Sequence, residues 1–164
     1  AVFADARIVC AQISGGGGAQ MTFRPWKFED ILKISQLEKE CFPAEPWSYR
    51  MLADSFASDN FSAVLCDDDG EIAAYGGISM GYDTADIDNI AVAERYRRCG
   101  LGGKILDSLI AVAKEKGASK VFLEVRVSNV AAMSLYLKHG FRGVYARTRY
   151  YTDGEDCLVM AKDI

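Results

Sequence analysis

The stretch Ile87–Leu106 has the sequence IDNIAVAERYRRCGLGGKIL, and it decides the fold. An apolar strand leads into a basic turn, and paired glycines then open a long amphipathic helix. The first N–H groups of a helix have no intrahelical acceptor and the helix dipole is positive there, so such a turn suits an anion. Glycine also lets a phosphate approach the backbone closely. The stretch therefore predicts a site for the diphosphate of a nucleotide-like cofactor.

The glycine spacing differs from two common nucleotide-binding motifs. A dinucleotide-binding GxGxxG follows the first strand, with an acidic residue about twenty positions later, and a P-loop has the pattern GxxxxGK[ST]. Here Gly100, Gly102 and Gly103 come late in the chain and follow arginines. The pattern Arg97-x-x-Gly100-x-Gly102, between a strand and a helix, indicates another kind of diphosphate loop.

Hydrophobic periodicity and turn residues predict a mixed α/β fold with a mainly antiparallel sheet flanked by helices. We expect strands at 21–24, 61–66, 71–80, 84–92, 120–125, 142–150 and 156–161, and helices at 29–41, 48–57, 101–116 and 129–139. Ser48 and Asn129 are expected to be N-caps, and Gly117 is expected to end the third helix. The strand 84–92 alternates imperfectly, which fits either a central strand buried on both faces or a strand with a bulge. The elbow Pro46-Trp47 between the first two helices forms either a wall for an acceptor or a packed surface loop.

Composition sets the broad class. The 164 residues carry a net charge of −4 and half are apolar, which fits one domain and gives no argument for nucleic acid or a membrane. Five cysteines without a CxxC pair and a single histidine predict no metal site and a reducing, cytoplasmic location. The acidic turn Asp67-Asp68-Asp69 is expected to be a solvated hairpin turn. Residues 1–20, with the linker Ser14–Gly18, are expected to be a flexible extension of a domain at 21–164.

The diphosphate turn resembles the acetyl-CoA pyrophosphate loop of the GCN5-related N-acetyltransferase (GNAT) superfamily. The resemblance covers Met21 to Lys162 and is strongest to its RimI-like branch, the bacterial acetyltransferases of a ribosomal protein's N-terminal alanine. The segments that carry it are IDNIAV (87–92), RRCGLGGKIL (97–106), LEVRVSN (123–129), SLYLKHGF (134–141) and YYTDGEDCLVM (150–160).

The resemblance implies acetyl-CoA as co-substrate and a set of residues that bind it. Ile90, Ala91 and Val92 would line the pantetheine, and the Val92 N–H would donate to the thioester carbonyl. The diphosphate and the rest of the cofactor would contact Arg97, Arg98, Cys99, Gly100, Leu101, Gly102, Gly103 and Asn129. Direct transfer is expected, with Cys99 facing phosphate rather than serving as a nucleophile.

Two side chains are candidates for proton transfer. Glu124 stands in an otherwise apolar strand, where burial would raise a carboxyl pKa, and RimI-like enzymes place their general base there. The alternative is a glutamate paired with Arg126 or Arg147. Tyr136 matches the family's general acid, although an amphipathic helix also uses tyrosine as core filler.

The acceptor is less strongly indicated than the cofactor. The resemblance implies that the acceptor is a protein N-terminus. Two alternatives remain open: an enzyme that acetylates lysine side chains or small amines, and an inactive module that only binds acetyl-CoA. Two positions depart from the RimI-like pattern, an extra Glu45 beside the elbow and Thr152 where a proline is common after Tyr150-Tyr151. Acidic residues expected to serve the acceptor are Glu45, Asp54 and Glu155.

Overall fold

The computed structural model describes residues 21–164, so the expectation for residues 1–20 lies outside the described part of the chain. The strands are β1 (Met21–Pro25), β2 (Phe61–Asp68), β3 (Glu71–Met80), β4 (Thr84–Val92), β5 (Lys120–Arg126), β6 (Arg142–Arg147) and β7 (Cys157–Asp163). The helices are α1 (Ile31–Cys41), α2 (Tyr49–Phe56), α3 (Leu101–Glu115) and α4 (Val130–Lys138), with short 3₁₀ turns at Phe28–Asp30 and Glu94–Tyr96. The predicted order of strands and helices is confirmed.

One seven-stranded sheet has the order β1-β2-β3-β4-β5-β7-β6. Neighbouring strands are antiparallel except β4 and β5, which run parallel. Their pairing is short and stops at Ile87 opposite Leu123, so the second half of β4 has no partner on that side. The sheet therefore opens into a gap between β4 and β5. The prediction of a mainly antiparallel sheet is confirmed.

β4 carries a bulge at the point where the gap begins. Gly77 pairs with Asn89 and the next residue of β3, Ile78, pairs with Ile87, so Asp88 is the extra residue. A bulge shifts the alternation of side chains along a strand. This explains the imperfect alternation of the sequence, and the bulge is the correct one of the two expected alternatives.

Helix α3 packs tightly against the middle of the sheet through a glycine. A Cβ built on Gly76 would lie 2.6 Å from Ile105 Cγ2 and 2.8 Å from Leu109 Cδ1. Both of these α3 side chains are fully buried, together with Leu101 at the start of the helix. The missing side chain at Gly76 lets α3 lie close to β3, which fixes the N-terminus of α3 beside the end of β4.

Sequence signals located several helix ends correctly. The Ser48 side chain accepts the Met51 N–H at 3.2 Å, and the Asn129 side chain accepts the Ala132 N–H at 3.1 Å, as expected of N-caps. Gly117 ends α3 with a φ of +88°, in the left-handed region that favours glycine.

Several boundaries differ from the prediction by one to three residues, and two of them have a clear structural cause. α1 begins at Ile31, because Phe28–Asp30 forms a 3₁₀ turn. β6 ends at Arg147 instead of 150, because Arg149 has a φ of +50° and its N–H donates to Asp156 Oδ1 at 2.8 Å. Residues 148–156 consequently form a loop that leaves the sheet.

A paired set of charges fixes the edge of the sheet to the first helix. Arg24 in β1 binds Asp30 and Asp67, each through an N–O contact of 2.8 Å. The Asp30 side chain is only 7% exposed. Asp67 also accepts the Gly70 N–H at 2.7 Å, so the acidic turn has structural partners in addition to solvent. No helix within residues 21–164 is long and apolar enough to cross a membrane.

Candidate active site

A cleft of about 1010 Å³ lies at the gap between β4 and β5. Four parts of the chain line it: the loop from the end of α1 to the Pro46-Trp47 elbow, the middle of β4, the end of β5 with the start of α4, and the loop between β6 and β7. Of the expected site residues, Ile90, Glu124, Asn129 and Tyr136 line this cleft. The splayed strands thus bring Ile90 together with residues that follow it by 34 to 46 positions in the sequence.

The free edge of β4 presents backbone groups to the gap. The Ala93 N–H donates to the Ala73 carbonyl in β3 at 3.0 Å. Because the N–H direction alternates along a strand, the N–H groups of Ile90 and Val92 point the other way, into the gap. The Val92 carbonyl accepts the Arg97 Nε–H at 3.1 Å. The Val92 N–H is therefore placed where a carbonyl oxygen in the gap could accept it.

The turn after β4 has the geometry of an anion-binding loop. Arg98 has a φ of +63° and Gly100 a φ of +78°, so two left-handed residues precede α3. The first bond at this helix end runs from the Lys104 N–H to the Gly100 carbonyl at 3.3 Å. The N–H groups of the first turn consequently have no acceptor within the helix.

The paired glycines of this turn have different neighbours. A Cβ on Gly103 would lie 3.2 Å from the His139 ring, so glycine allows α3 to pack against the end of α4. His139 accordingly lies half-buried, with its Nδ1 2.8 Å from the Leu135 carbonyl. Arg97 does not extend toward the turn, because its guanidinium contacts Val92 and also Cys41 Sγ at 3.8 Å. The contacts that the Arg97 guanidinium makes therefore lie on the side of Val92 and Cys41.

Glu124 faces the cleft rather than the interior. Its side chain is 34% exposed, so the expectation of a buried carboxylate is wrong; the flanking Leu123 and Val125 occupy the core instead. Arg147 Nη1 lies 2.8 Å from Glu124 Oε1, which is one of the two pairings expected as an alternative to catalysis. A hydrogen bond to Glu124, with burial, raises the pKa of the Tyr150 phenol. Glu124 is thus held at the cleft wall and remains accessible from it.

Further acidic groups lie beside Glu124. Burial raises the pKa of Asp88 to about 6, and the nearby charges of Asp86 and Glu124 act in the same direction. The Ser79 hydroxyl donates to Asp88 Oδ2 at 2.6 Å and opposes that rise. Arg147 offsets part of this negative charge. The cleft wall is therefore suited to a cationic amine.

Tyr136 lies across the cleft on α4 with its ring partly buried. Its ring centroid is 6.0 Å from that of Phe141, which accounts for the core-filling alternative. Burial raises the pKa of Tyr136 to about 12. The phenol is therefore protonated at neutral pH and available as a donor. Asn129 lies at the start of the same helix and also lines the cleft.

The loop between β6 and β7 is fixed to the end of β5. Arg126 binds Asp153 and Glu155 with N–O contacts of 2.8 and 2.9 Å. Its guanidinium carbon lies 3.8 Å from the centroid of the Tyr151 ring. Arg126 is consequently not the partner of Glu124.

The two positions that depart from the RimI-like pattern meet in space. The Thr152 hydroxyl donates to the Glu45 carboxylate, which joins the loops on opposite sides of the cleft. Asp54, expected to serve the acceptor, does not line the cleft; it lies on α2, 76% exposed and 3.9 Å from Arg50.

A buried carboxylate next to the cleft was not expected to have a site role. Glu38 is fully buried and accepts the Trp47 N–H at 3.0 Å, the Asn89 Nδ2–H at 2.7 Å and the Tyr75 hydroxyl. Burial raises the pKa of Glu38, and the three donors oppose that rise. The signal was visible in the sequence, since Glu38 lies on the apolar stripe of α1 beside Leu37. Trp47 is thereby fixed, so the elbow is both packed and a wall of the cleft.

Among residues 21–164, no three His, Cys, Asp or Glu side chains are grouped in a way that could hold a metal ion. The exposed thiol of Cys99 lies 3.5 Å from the Arg97 carbonyl, within the turn before α3. It does not line the cleft that contains Glu124 and Tyr136.

Comparison with known proteins assigns this architecture to a family. The model of the Acetyltransferase (GNAT) family matches residues 31–141. The chain is 36% identical over 144 residues to the [ribosomal protein bS18]-alanine N-acetyltransferase of Escherichia coli strain K12, covering 80% of this chain and 97% of that enzyme. It is 31% identical over 157 residues to an N-alpha-acetyltransferase of Sulfurisphaera tokodaii, covering 88% and 93%.

A solved structure agrees with this assignment. The crystal structure of the ribosomal-protein-S18-alanine N-acetyltransferase from Escherichia coli superposes with a TM-score of 0.80 at 33% identity, covering 88% of this chain and 94% of that one. The chain belongs to the GNAT family and is an acetyl-CoA-dependent N-acetyltransferase.

Proposed function

We propose that this GNAT enzyme transfers the acetyl group of acetyl-CoA to the N-terminal α-amine of a protein, in the cytoplasm and by direct attack in a ternary complex. The acceptor that we propose is the N-terminal alanine of a small-subunit ribosomal protein. One observation carries the proposal: a single cleft brings the free edge of β4 together with Glu124 and Tyr136. The bS18-alanine N-acetyltransferase at 36% identity supports this choice of acceptor.

The residues present fit acetyl-CoA. The first N–H groups of α3 lie at the end of β4, after the left-handed Gly100 and beside the close packing at Gly103. There the backbone of Arg98–Gly103 would hold the diphosphate. Ile90, Ala91 and Val92 would lie along the pantetheine, whose amides can pair with the free edge of β4 as an added strand would. Further contacts are proposed for Arg97 and Asn129. Bound there, acetyl-CoA supplies an activated thioester at the cleft.

The proposed chemistry assigns one role to each group. Glu124, directly or through water, takes a proton from the acceptor's α-ammonium, whose reference pKa is about 7.7–8.0. The amine then attacks the thioester carbonyl carbon while the Val92 N–H donates to the carbonyl oxygen, on which negative charge develops. The carbon–sulfur bond breaks as Tyr136 donates its proton to the leaving sulfur. The nitrogen loses its second proton to solvent, and the Tyr136 phenolate regains a proton from solvent. The acidic wall around Asp88 favours the ammonium form of the acceptor on arrival.

The test is a thiol-release assay with acetyl-CoA and peptides that begin with Ala, Ser or Met, compared with free lysine and polyamines. We expect turnover with the peptide that begins with Ala, and acetylation at its α-amine by mass spectrometry. Turnover confined to lysine or polyamines would contradict the proposed acceptor. Acetyl-CoA binding without turnover on any amine would leave an inactive binding module instead.

A matched pair of variants tests the assignment of the base. Glu124→Gln should lower kcat about 10²- to 10⁴-fold, as expected for loss of a general base, without changing the KM for acetyl-CoA. Asp54→Asn removes a carboxylate outside the cleft and should leave kcat unchanged. Equal kcat values in the Glu124→Gln variant and the unaltered protein would show that another group takes the proton.

A further inference from the structure

Asn89 is a polar residue at the cleft whose amide is oriented by its neighbours. It is the first residue after the bulge in β4, half-buried, and it lines the cleft. Its Nδ2 group donates to Glu38 Oε1 at 2.7 Å and lies 3.3 Å from the Tyr75 hydroxyl oxygen. Among the described residues, no donor reaches its Oδ1. The amide therefore has its donor end engaged and its acceptor end free.

Glu38 fixes which end of the amide is free. An ionised carboxylate has no hydrogen to donate, so it can only face the NH₂ end of Asn89. Glu38 is itself held from two other directions, by the Trp47 N–H and by the Tyr75 hydroxyl. Full burial keeps water from replacing any of these donors. Rotation of the Asn89 amide by 180° about its last bond would place Asn89 Oδ1 against Glu38 Oε1. Because both atoms are acceptors, this orientation is unfavourable.

We propose that Asn89 binds the acceptor, with its Oδ1 accepting a hydrogen bond from the N–H groups of the incoming amino end, and that Glu38 is the buried positioning residue for this contact. The proposal rests on the proposed function. The same carboxylate also holds Trp47 in the elbow, so Glu38 connects two walls of the acceptor cleft. Asn89 precedes Ile90 and Val92, the residues whose N–H groups face the gap, so the bond would hold the amine beside the thioester.

The test measures KM for the acceptor and for acetyl-CoA separately, using a peptide that begins with Ala. Asn89→Ala removes the oxygen and should raise the acceptor KM about tenfold, the size expected for a hydrogen bond to a charged group. Glu38→Gln keeps the volume but lets the Asn89 amide turn over, and should raise the same KM about three- to tenfold. In both variants the KM for acetyl-CoA should stay within about twofold of the unaltered enzyme.

Tyr75→Phe is the matched control. It removes a donor to Glu38 and the longer 3.3 Å contact to Asn89, but it leaves the 2.7 Å bond from Asn89 to Glu38 that sets which end of the amide is free. It should lower the melting temperature without raising the acceptor KM. If Tyr75→Phe raised the acceptor KM as much as Asn89→Ala, the network would be purely structural and the inference would be wrong. An unchanged acceptor KM in Asn89→Ala would also overturn it, and an unchanged KM in Glu38→Gln would overturn the positioning role.

These outcomes are separate from failure of the proposed function. If the unaltered protein acetylates no peptide, the proposed function fails before any variant is compared. If it acetylates the peptide and Asn89→Ala shows the same acceptor KM, only the role of Asn89 fails.

Discussion

Replacing Gly100 by alanine should weaken acetyl-CoA binding through the backbone alone. Gly100 has a φ of +78°, and a Cβ built there meets no atom within 4 Å, so alanine adds no clash. The left-handed conformation costs an L-residue about 1–2 kcal/mol. Alanine also lowers the conformational entropy of the unfolded chain, which stabilises the folded protein by about 0.4–1 kcal/mol. The free energy of unfolding should therefore fall by about 1 kcal/mol. We expect Gly100→Ala to lower the melting temperature by about 2–4 °C.

The effect on binding depends on where that strain is relieved. If the turn relaxes, acetyl-CoA must restore the left-handed conformation to align the N–H groups of α3, so its KM should rise about fivefold. Gly70→Ala is the matched control: it has a φ of +87°, no atom within 4 Å of its Cβ, and lies in the hairpin between β2 and β3. It should lose similar stability and keep the KM for acetyl-CoA. Calorimetric unfolding and steady-state kinetics of both variants measure this. Equal KM values for acetyl-CoA in the two variants would refute the reasoning that the turn relaxes and that the diphosphate must restore it.

Three further predictions concern the donor, the charges and the core. Tyr136→Phe should lower kcat about 10- to 100-fold, and because the pKa of Tyr136 is raised to about 12, the pH profile of kcat should show no loss from its ionisation below about pH 11. Asp30→Asn should lower the free energy of unfolding, measured in urea at pH 7, by about 2–3 kcal/mol. Burial opposes ionisation of Asp30, but its bonds to Arg24 lower its pKa below 3.8. This stability is therefore present above pH 3.8, and the difference between the two proteins should shrink as the pH falls toward 2. Gly76→Ala places a methyl 2.6 Å from Ile105 Cγ2 and should destabilise the protein by about 2–3 kcal/mol in the same assay, with a smaller loss showing that α3 can move away.

Local signals in the sequence were enough to predict the order of elements and the turn before α3. Periodicity, the caps at Ser48 and Asn129, and the stop at Gly117 each depend on neighbouring residues, and all three were confirmed. The bulge in β4 was left as one of two alternatives, because imperfect alternation has more than one structural cause. Its position at Asp88 depends on the register with β3, which no local pattern specifies.

The partners of the site residues were harder to predict, because they come from distant parts of the chain. The burial expected for Glu124 was wrong, since its side chain faces the cleft that lies where the pairing of β4 with β5 ends. The contact between Glu45 and Thr152 joins residues 107 positions apart, and each had been noted only as a departure from a pattern. The position of Glu38 on the apolar face of α1 can be read from the sequence, but its contact with Asn89 joins residues that are distant in the chain.

The short ladder between β4 and β5 has a mechanical consequence. Four residue pairs, from Thr84 with Lys120 to Ile87 with Leu123, join the half of the sheet built from β1–β4 to the half built from β5–β7. A ligand paired with the free edge of β4 and touching α4 would act as a brace between these halves. Its occupancy would then set how cooperatively the two halves unfold, and hydrogen exchange in β5 should slow when acetyl-CoA is added, although β5 forms no part of the diphosphate turn.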